Sequence, residues 1–229
     1  MKRIAIFGKG GIGKSTFAAA LAIQFHNAGD RVLHVGCDPK HDCSMRHGPR
    51  RSVPTVMDEM LRYRGRMGAK EFEETIISDT ESGVHVLEAG GPEPGKGCAG
   101  RAVSMMLTLL DSSARIRDGF YDTVVLDVLG DVVCGGFAAP LQSPVPSDTI
   151  IVVSHEFMSI YAANNIAKGI SNLTTAGESR LVGVVANRVD TPLGRAIVEA
   201  FAEKLSTRVL GVIPYCEEVL MADASGGAL

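Results

Sequence analysis

Eight residues, GKGGIGKS from Gly8 to Ser15, stand between an apolar run, Ile4–Phe7, and a helical stretch, Ser15–Ala28, that Gly29 closes. A strand that passes through a glycine-rich loop straight into a helix leaves few folds open. The spacing satisfies G-x-x-x-x-G-K-[ST] in the context that pattern requires. The loop backbone at Gly8, Lys9, Gly10, Gly11, Ile12 and Gly13 can turn its N–H groups toward one point, where the helix N-terminus adds partial positive charge. Such a loop cradles phosphates, with Lys14 reaching the β- and γ-phosphates and Ser15 ligating Mg²⁺.

Gly8, Gly10 and Gly13 also satisfy G-x-G-x-x-G, a dinucleotide fingerprint, but the Lys14-Ser15 pair that follows favours a nucleoside triphosphate. Lys9 is an additional cation inside the loop. A solvated lysine is the plain account; the sharper one is a deviant Walker loop whose extra lysine reaches the nucleotide of a facing subunit.

Six further short apolar runs read as buried strands: Val32–Val35, Val84–Leu87, Thr123–Leu126, Thr149–Val153, Leu181–Ala186 and Val209–Ile213. Arg101–Ile116 and Ile160–Thr175 read as helices between them. The alternation predicts an α/β fold of P-loop NTPase type, a mostly parallel sheet flanked by helices on both faces. One domain over residues 1–229 fits that length. Ligands of such sheets bind at the carboxyl ends of the strands, where every motif of interest falls.

A net charge of -3 gives no support to a nucleic-acid surface. No apolar run approaches the roughly 18 residues of a membrane-spanning helix. The opening MKRIAIFG turns polar at Gly8-Lys9, too early for a signal peptide. These readings place the chain in the cytoplasm. Five scattered cysteines, an odd number, argue against a disulfide framework and leave metal binding, redox chemistry or burial.

Asp38 and Asp42, in GCDPKHDC after the second strand, lie where carboxylates position water or meet Mg²⁺ through it. Asp127 ends the Thr123–Leu126 strand as a Walker-B carboxylate does. Aspartate also ends strands for turn reasons alone, but three beside a phosphate loop favour catalysis.

Cys98, in GGPEPGKGCAGR, and Cys134, in DVVCGGF, occupy glycine-rich loops rather than apolar elements. There the backbone can approach an inorganic group closely. A [4Fe–4S] cluster takes four thiolates; two chains related by a two-fold axis would supply two each. Asp127 and Cys134 lie at most about 25 Å apart along the chain. Cys37, His41, Cys43 and His47 do not match zinc spacings. Cys37 reads as core, Cys43 and Cys216 receive no role, and His26, His34, His85 and His155 read as structural.

With those motifs in hand, the chain resembles the nitrogenase iron protein family, from about Lys2 to Pro214. GKGGIGKS, GCDPK, GGPEPGKGCAGR, DVLGDVVCGGFA and YAANNI carry the resemblance. It implies an ATP-hydrolysing oxidoreductase: a homodimer sharing one [4Fe–4S] cluster through Cys98 and Cys134, with Mg-ATP on each subunit. Lys9 would contact nucleotide across the interface, and Lys14, Ser15 and Thr16 would hold phosphate and Mg²⁺. Asp38 to Asp42 resembles switch I, and Asp127 to Cys134 switch II, with Asp131 assisting hydrolysis. Asn187 matches an adenine-contacting asparagine, Pro214 and Tyr215 fall in the adenine-side loop, and Arg101 matches an arginine on the docking face. The partners implied are a second copy, a separate catalytic complex and a donor of ferredoxin or flavodoxin type, with neither nucleic acid nor membrane.

The sequence departs from the pattern in three places. His41 and Cys43 replace the usual Ala and Ser, the adenine-side loop reads IPYCEE, and relatives continue past the position of Leu229. GGPEPGKGCAGR and YAANNI look like nitrogenase or its close nitrogenase-like relatives, while DPKHD and FAAPL lean toward the chlorophyll-type branch. This mixture, with the basic Arg62–Arg66 stretch, for which a solvated helix face is the plain account, favours a nitrogenase-like system over dinitrogen reduction itself. A partition or cell-division-site ATPase would share the loop without needing Cys98 and Cys134. A cluster-carrier ATPase would more typically show a C-x-x-C pair near its end, which this chain lacks.

Overall fold

The computed structural model describes residues 1–48, 53–77, 80–92, 99–130, 135–174 and 179–225. Seven strands form one sheet: β1 (Lys2–Gly8), β2 (Val32–Gly36), β3 (His85–Glu88), β4 (Thr123–Asp127), β5 (Asp148–Val153), β6 (Arg180–Asn187) and β7 (Val209–Ile213). Their order is β3-β2-β4-β1-β5-β6-β7, and every neighbouring pair runs parallel. β1 is thus central, and β4 is laid beside it only after β2 and β3 have passed to one side.

The helices are α1 (Lys14–Asn27), α2 (Val56–Arg62), α3 (Ala69–Glu74), α4 (Ala99–Ser112), α5 (Ala114–Arg117), α6 (Gly135–Ala138), α7 (Phe157–Leu173), α8 (Pro192–Lys204) and α9 (Glu217–Ser225). Alternation along β1 divides the core in two, because successive strand side chains point to opposite faces. Ile6 packs with Val32, Val125 and the α1 residues Ala18 and Ala22. Ala5 and Phe7 pack on the other face with Val103 and Met106 of α4, Phe137 of α6 and Ile166 of α7. Phe7 and Phe137 meet edge to face with centroids 5.1 Å apart, which fastens α6 to the strand that feeds the glycine-rich loop.

All seven expected strands are present, with ends shifted by a residue or two. The Arg101–Ile116 stretch is two helices, not one. Ser113 breaks it: its backbone turns extended and its hydroxyl accepts from Ile116 N at 3.4 Å, capping a new helix. α2 and α8 went unread in the sequence although each opens on a threonine cap. Thr55 accepts from Asp58 N at 3.1 Å, and Thr191, followed by Pro192, accepts from Gly194 N at 3.0 Å. The basic Arg62–Arg66 stretch terminates α2, where Arg62 lies 3.3 Å from Glu59.

Candidate functional site

Register brings the motifs to one edge of the sheet. Asp127 lies level with Ile6 of β1 and Gly36 of β2, and Gly8 lies level with Val152 of β5. The loop leaving β1 therefore curls over the end of β4. Lys14 Nζ donates to Asp127 Oδ1 at 2.7 Å, with both side chains almost fully buried.

α1 starts without a side-chain cap: Gly13 precedes it with φ of +93°, and no side chain among the described residues satisfies the first N–H groups. Helix N-termini with free N–H groups attract anions. Gly13 also lies against Asn187, and a Cβ there would collide with Asn187 Nδ2. Asn187, at the end of β6, donates from Nδ2 to Ile12 O at 2.7 Å, so it pins the loop from the side. A cavity of about 230 Å³ opens beside that contact, lined by Gly13, Thr16, Phe17, Asn187, Pro214 and Tyr215. An uncapped helix, a buried lysine and an adjoining cavity fit a nucleoside triphosphate. Lys9 is exposed, has no charged partner among the described residues and lines a separate cavity of about 190 Å³ with Ser154, His155 and Glu156.

Asp38 caps its own turn, accepting from Lys40 N at 3.1 Å, while His41 N donates to Asp38 O at 3.0 Å. His41 takes φ of +45°, a conformation uncommon for a residue with a Cβ. Asp42 is half-buried beyond that turn. Cys98, Asp131 and Cys134 lie outside the described residues. Their flanks are described, and they meet: a Cβ on Gly136 would stand 3.3 Å from Gly100 Cα. Each of these glycines follows one of the two cysteines by two positions. Arg101 is exposed on the first turn of α4.

The loops around the two sites touch. A Cβ on Gly130, three residues past Asp127, would come within 2.7 Å of Gly8 O and 2.9 Å of Gly10 N. A Cβ on Gly91 would stand 2.5 Å from Pro39 Cβ.

One buried group escaped the sequence reading. Glu88, at the end of β3, is wholly buried and accepts from Ser44 N at 2.8 Å, while its Oε2 has no hydrogen-bond partner among the described residues. Burial raises its pKa to about 7. Burial also pushes the thiols of Cys37 and Cys43 upward, so both are inert core groups. His34 is structural, as expected, through a partner that the sequence did not suggest: His34 Nδ1 and His47 Nε2 are 2.7 Å apart, and His47 Nδ1 is 2.8 Å from Ser82 Oγ. Burial lowers both histidines to about 3, so the pair is neutral. No helix among the described residues is long and apolar enough to cross a membrane.

A family model described as 4Fe-4S iron sulfur cluster binding proteins, NifH/frxC family, matches residues 2–228. The chain is 41% identical over 235 residues to a protein named nitrogenase iron protein 2 of Methanothermococcus thermolithotrophicus, covering 99% of this chain and 80% of that one. It is 44% identical over 215 residues to the protein of that name in Methanothermobacter thermautotrophicus, covering 93% and 76%. Among solved structures, the cell division ATPase MinD of Pyrococcus furiosus superposes with a TM-score of 0.72 at 20% identity, over 99% of this chain and 88% of that one. A ParA family ATPase from Chlorobium tepidum gives 0.71 at 18%, over 99% and 90%. At such identities the two ATPases show the fold alone.

Proposed function

The chain belongs to the NifH/frxC family of 4Fe-4S iron sulfur cluster binding proteins, and from that premise we propose that it is the ATP-dependent one-electron reductase component of a nitrogenase-like enzyme system. Two identical subunits hold one [4Fe–4S] cluster between Cys98 and Cys134 of each, and each subunit binds Mg-ATP. The cluster, when bound, supplies the one-electron couple.

The chain's own residues divide the remaining work. The loop from Gly8 to Gly13, with Lys14, Ser15 and Thr16, grips the phosphates and Mg²⁺. Asn187, Pro214 and Tyr215 receive the adenine. Lys9 faces the nucleotide of the other subunit, which agrees with its lack of a partner in its own chain among the described residues. Asp38, Asp42, Asp127 and Asp131 order water and metal, and Arg101 faces a separate catalytic complex. One domain carries both sites.

One observation carries this reading: the segment that follows Asp127 abuts the phosphate loop at Gly130 and the start of α4 at Gly136. The described flanks of the nucleotide and cluster loops are thereby in contact as well as joined by chain. The Gly91–Pro39 approach supports a second connection.

The test is iron. Protein purified without oxygen should be brown, with about four irons per dimer. Cys98→Ala and Cys134→Ala should each be iron-free; full iron content in either variant would refute the ligand assignment. Dinitrogen reduction itself is the second reading, favoured by the names of the relatives at 41% and 44% identity. Mixing the reduced protein and Mg-ATP with a nitrogenase catalytic component separates the two. Sustained turnover there supports the second reading, and none supports the first.

A further inference from the structure

β3 ends on Glu88, which neither the nucleotide nor the cluster reading uses. Across the sheet, Glu88 is level with Gly36 of β2, and Gly36 with Asp127 of β4. Residues level in neighbouring parallel strands point to one face, so Glu88 and Asp127 share a side, with Gly36 between them. Gly36 leaves that space open. A Cβ there would collide with Glu88 Oε2 and stand 2.8 Å from Cys43 Sγ. The Glu88 carboxyl therefore leans over β2, toward the strand whose carboxylate holds Lys14.

The turn that carries Asp38 and Asp42 spans this row. It is fastened at its start, where Cys37 N donates to Asp127 O at 3.0 Å. It is fastened at its end, where Ser44 N donates to Glu88 Oε1 at 2.8 Å. Between these anchors the described hydrogen bonds are local: Lys40 N and His41 N both return to Asp38. His41, next to Asp42, holds φ of +45°, and a residue with a Cβ stays in that region only where its surroundings enforce it. Pro39 packs against Gly91, so the end of β3 and the residues after it hold the turn at two points.

The tether at Ser44 is a single hydrogen bond. Ser44 Oγ and Glu88 Oε2 are both buried and make none among the described residues. Removing one acceptor oxygen would release that end of the turn and leave β3 in place.

We propose that Glu88 is a positioning residue of the nucleotide site. Through Ser44 N it fixes the end of the turn, and with it where Asp42 stands relative to Asp127 and to the Mg²⁺ of a bound nucleotide. This role rests on the nucleotide reading given above, and Glu88 acts on phosphate and metal only through the turn.

The test is the Mg²⁺-dependence of ATP affinity. The full-length, cluster-loaded protein is titrated with ATP, with and without added Mg²⁺. Mg²⁺ should tighten binding to the wild type, because Asp38 and Asp42 meet the nucleotide through the metal whereas the glycine loop meets it directly. In Glu88→Ala that tightening should fall at least about fivefold, while affinity without Mg²⁺ stays within about twofold. Glu88→Asp keeps a carboxylate but stops one methylene short of Ser44 N, and should behave as Glu88→Ala does. Glu88→Gln keeps the length and an acceptor oxygen, and should restore the tightening to within about twofold of wild type. If alanine at this buried position does not fold, Glu88→Asp against Glu88→Gln decides alone.

Wild-type tightening in Glu88→Asp would overturn the proposal. So would equal losses with and without Mg²⁺, which mark general damage, or a loss in Glu88→Gln as large as in Glu88→Asp, which marks a role of charge rather than of reach. A wild type that binds no ATP, or binds it without regard to Mg²⁺, would refute the nucleotide reading itself, and this role with it.

Discussion

Lys14 and Asp127 are each other's counter-ion, 2.7 Å apart, with side chains only 8% and 2% exposed. The phosphate loop and the end of β4 are therefore neutralised as a unit, 113 positions apart in sequence. For Lys14 to reach a phosphate it must loosen from Asp127, which leaves that carboxylate free to face Mg²⁺. Phosphate and metal are thus expected to bind together more tightly than either binds alone.

Lys14→Ala should abolish ATP-dependent electron delivery and leave the iron content unchanged. It should also destabilise the protein by roughly 3–5 kcal/mol, because Asp127 becomes a buried charge without a partner. Denaturation midpoints, iron analysis and electron transfer to an acceptor check the three parts. Wild-type transfer in this variant would remove the phosphate-loop argument.

Gly130→Ala should separate the two sites. The atoms its methyl would meet are the loop's own Gly8 O and Gly10 N, at 2.7 and 2.9 Å. Backbone in those positions cannot step aside as a side-chain end can. The variant should keep its cluster but lose the effect of Mg-ATP on the rate at which a chelator extracts iron. Extraction that still responds to nucleotide as in the wild type would count against coupling through this contact.

Asn187→Ala removes the 2.7 Å bond to Ile12 O. A hydrogen bond of this kind contributes about 1 kcal/mol, so ATP should bind about fivefold more weakly while the cluster is untouched. Equilibrium titration with a fluorescent ATP analogue measures it, and an unaltered affinity would show that Asn187 neither holds the loop nor meets the base.

Glu88 gives a pH signature of defined sign. Its pKa rises on folding from 4.5 to about 7, so the folded protein binds the proton more tightly than the unfolded chain. Its contribution is fully present below pH 4.5 and is lost as pH rises through about 7. The buried pair His34 and His47, lowered to about 3, works oppositely and costs stability as pH falls below 6.5. Comparing wild type with Glu88→Gln cancels the histidine part. The variant should gain up to roughly 3 kcal/mol relative to wild type between pH 5 and pH 8. Urea unfolding at both values checks it; a difference independent of pH would mean that Glu88 does not hold a proton.

Much of this architecture was legible because its signals are local. The Gly8–Ser15 octet needs only its flanking strand and helix to be read, and Asp127 needs only the strand it ends. Glu88 was not legible, since nothing beside it in LEAGG announces burial. Its environment comes from Ser44, 44 positions away, and from the sheet that stacks β3 on β2. His34 and His47 illustrate the same limit: their pairing follows from how the chain folds back after Ser44–Arg46, which no spacing rule encodes. The caps at Thr55, Ser113 and Thr191 are a different case. Their residue types were in view, but whether such a hydroxyl meets a helix N–H is decided by the fold rather than by spacing.

The cavity beside Asn187 has one wall from the glycine loop and another from Pro214 and Tyr215. On the proposed function, affinity for a triphosphate tail and preference among purine and pyrimidine heads would reside on separate stretches, one ending near residue 16, the other beginning beyond residue 213. A change confined to the second stretch would then alter which nucleotide is accepted without disturbing how firmly its phosphates are held.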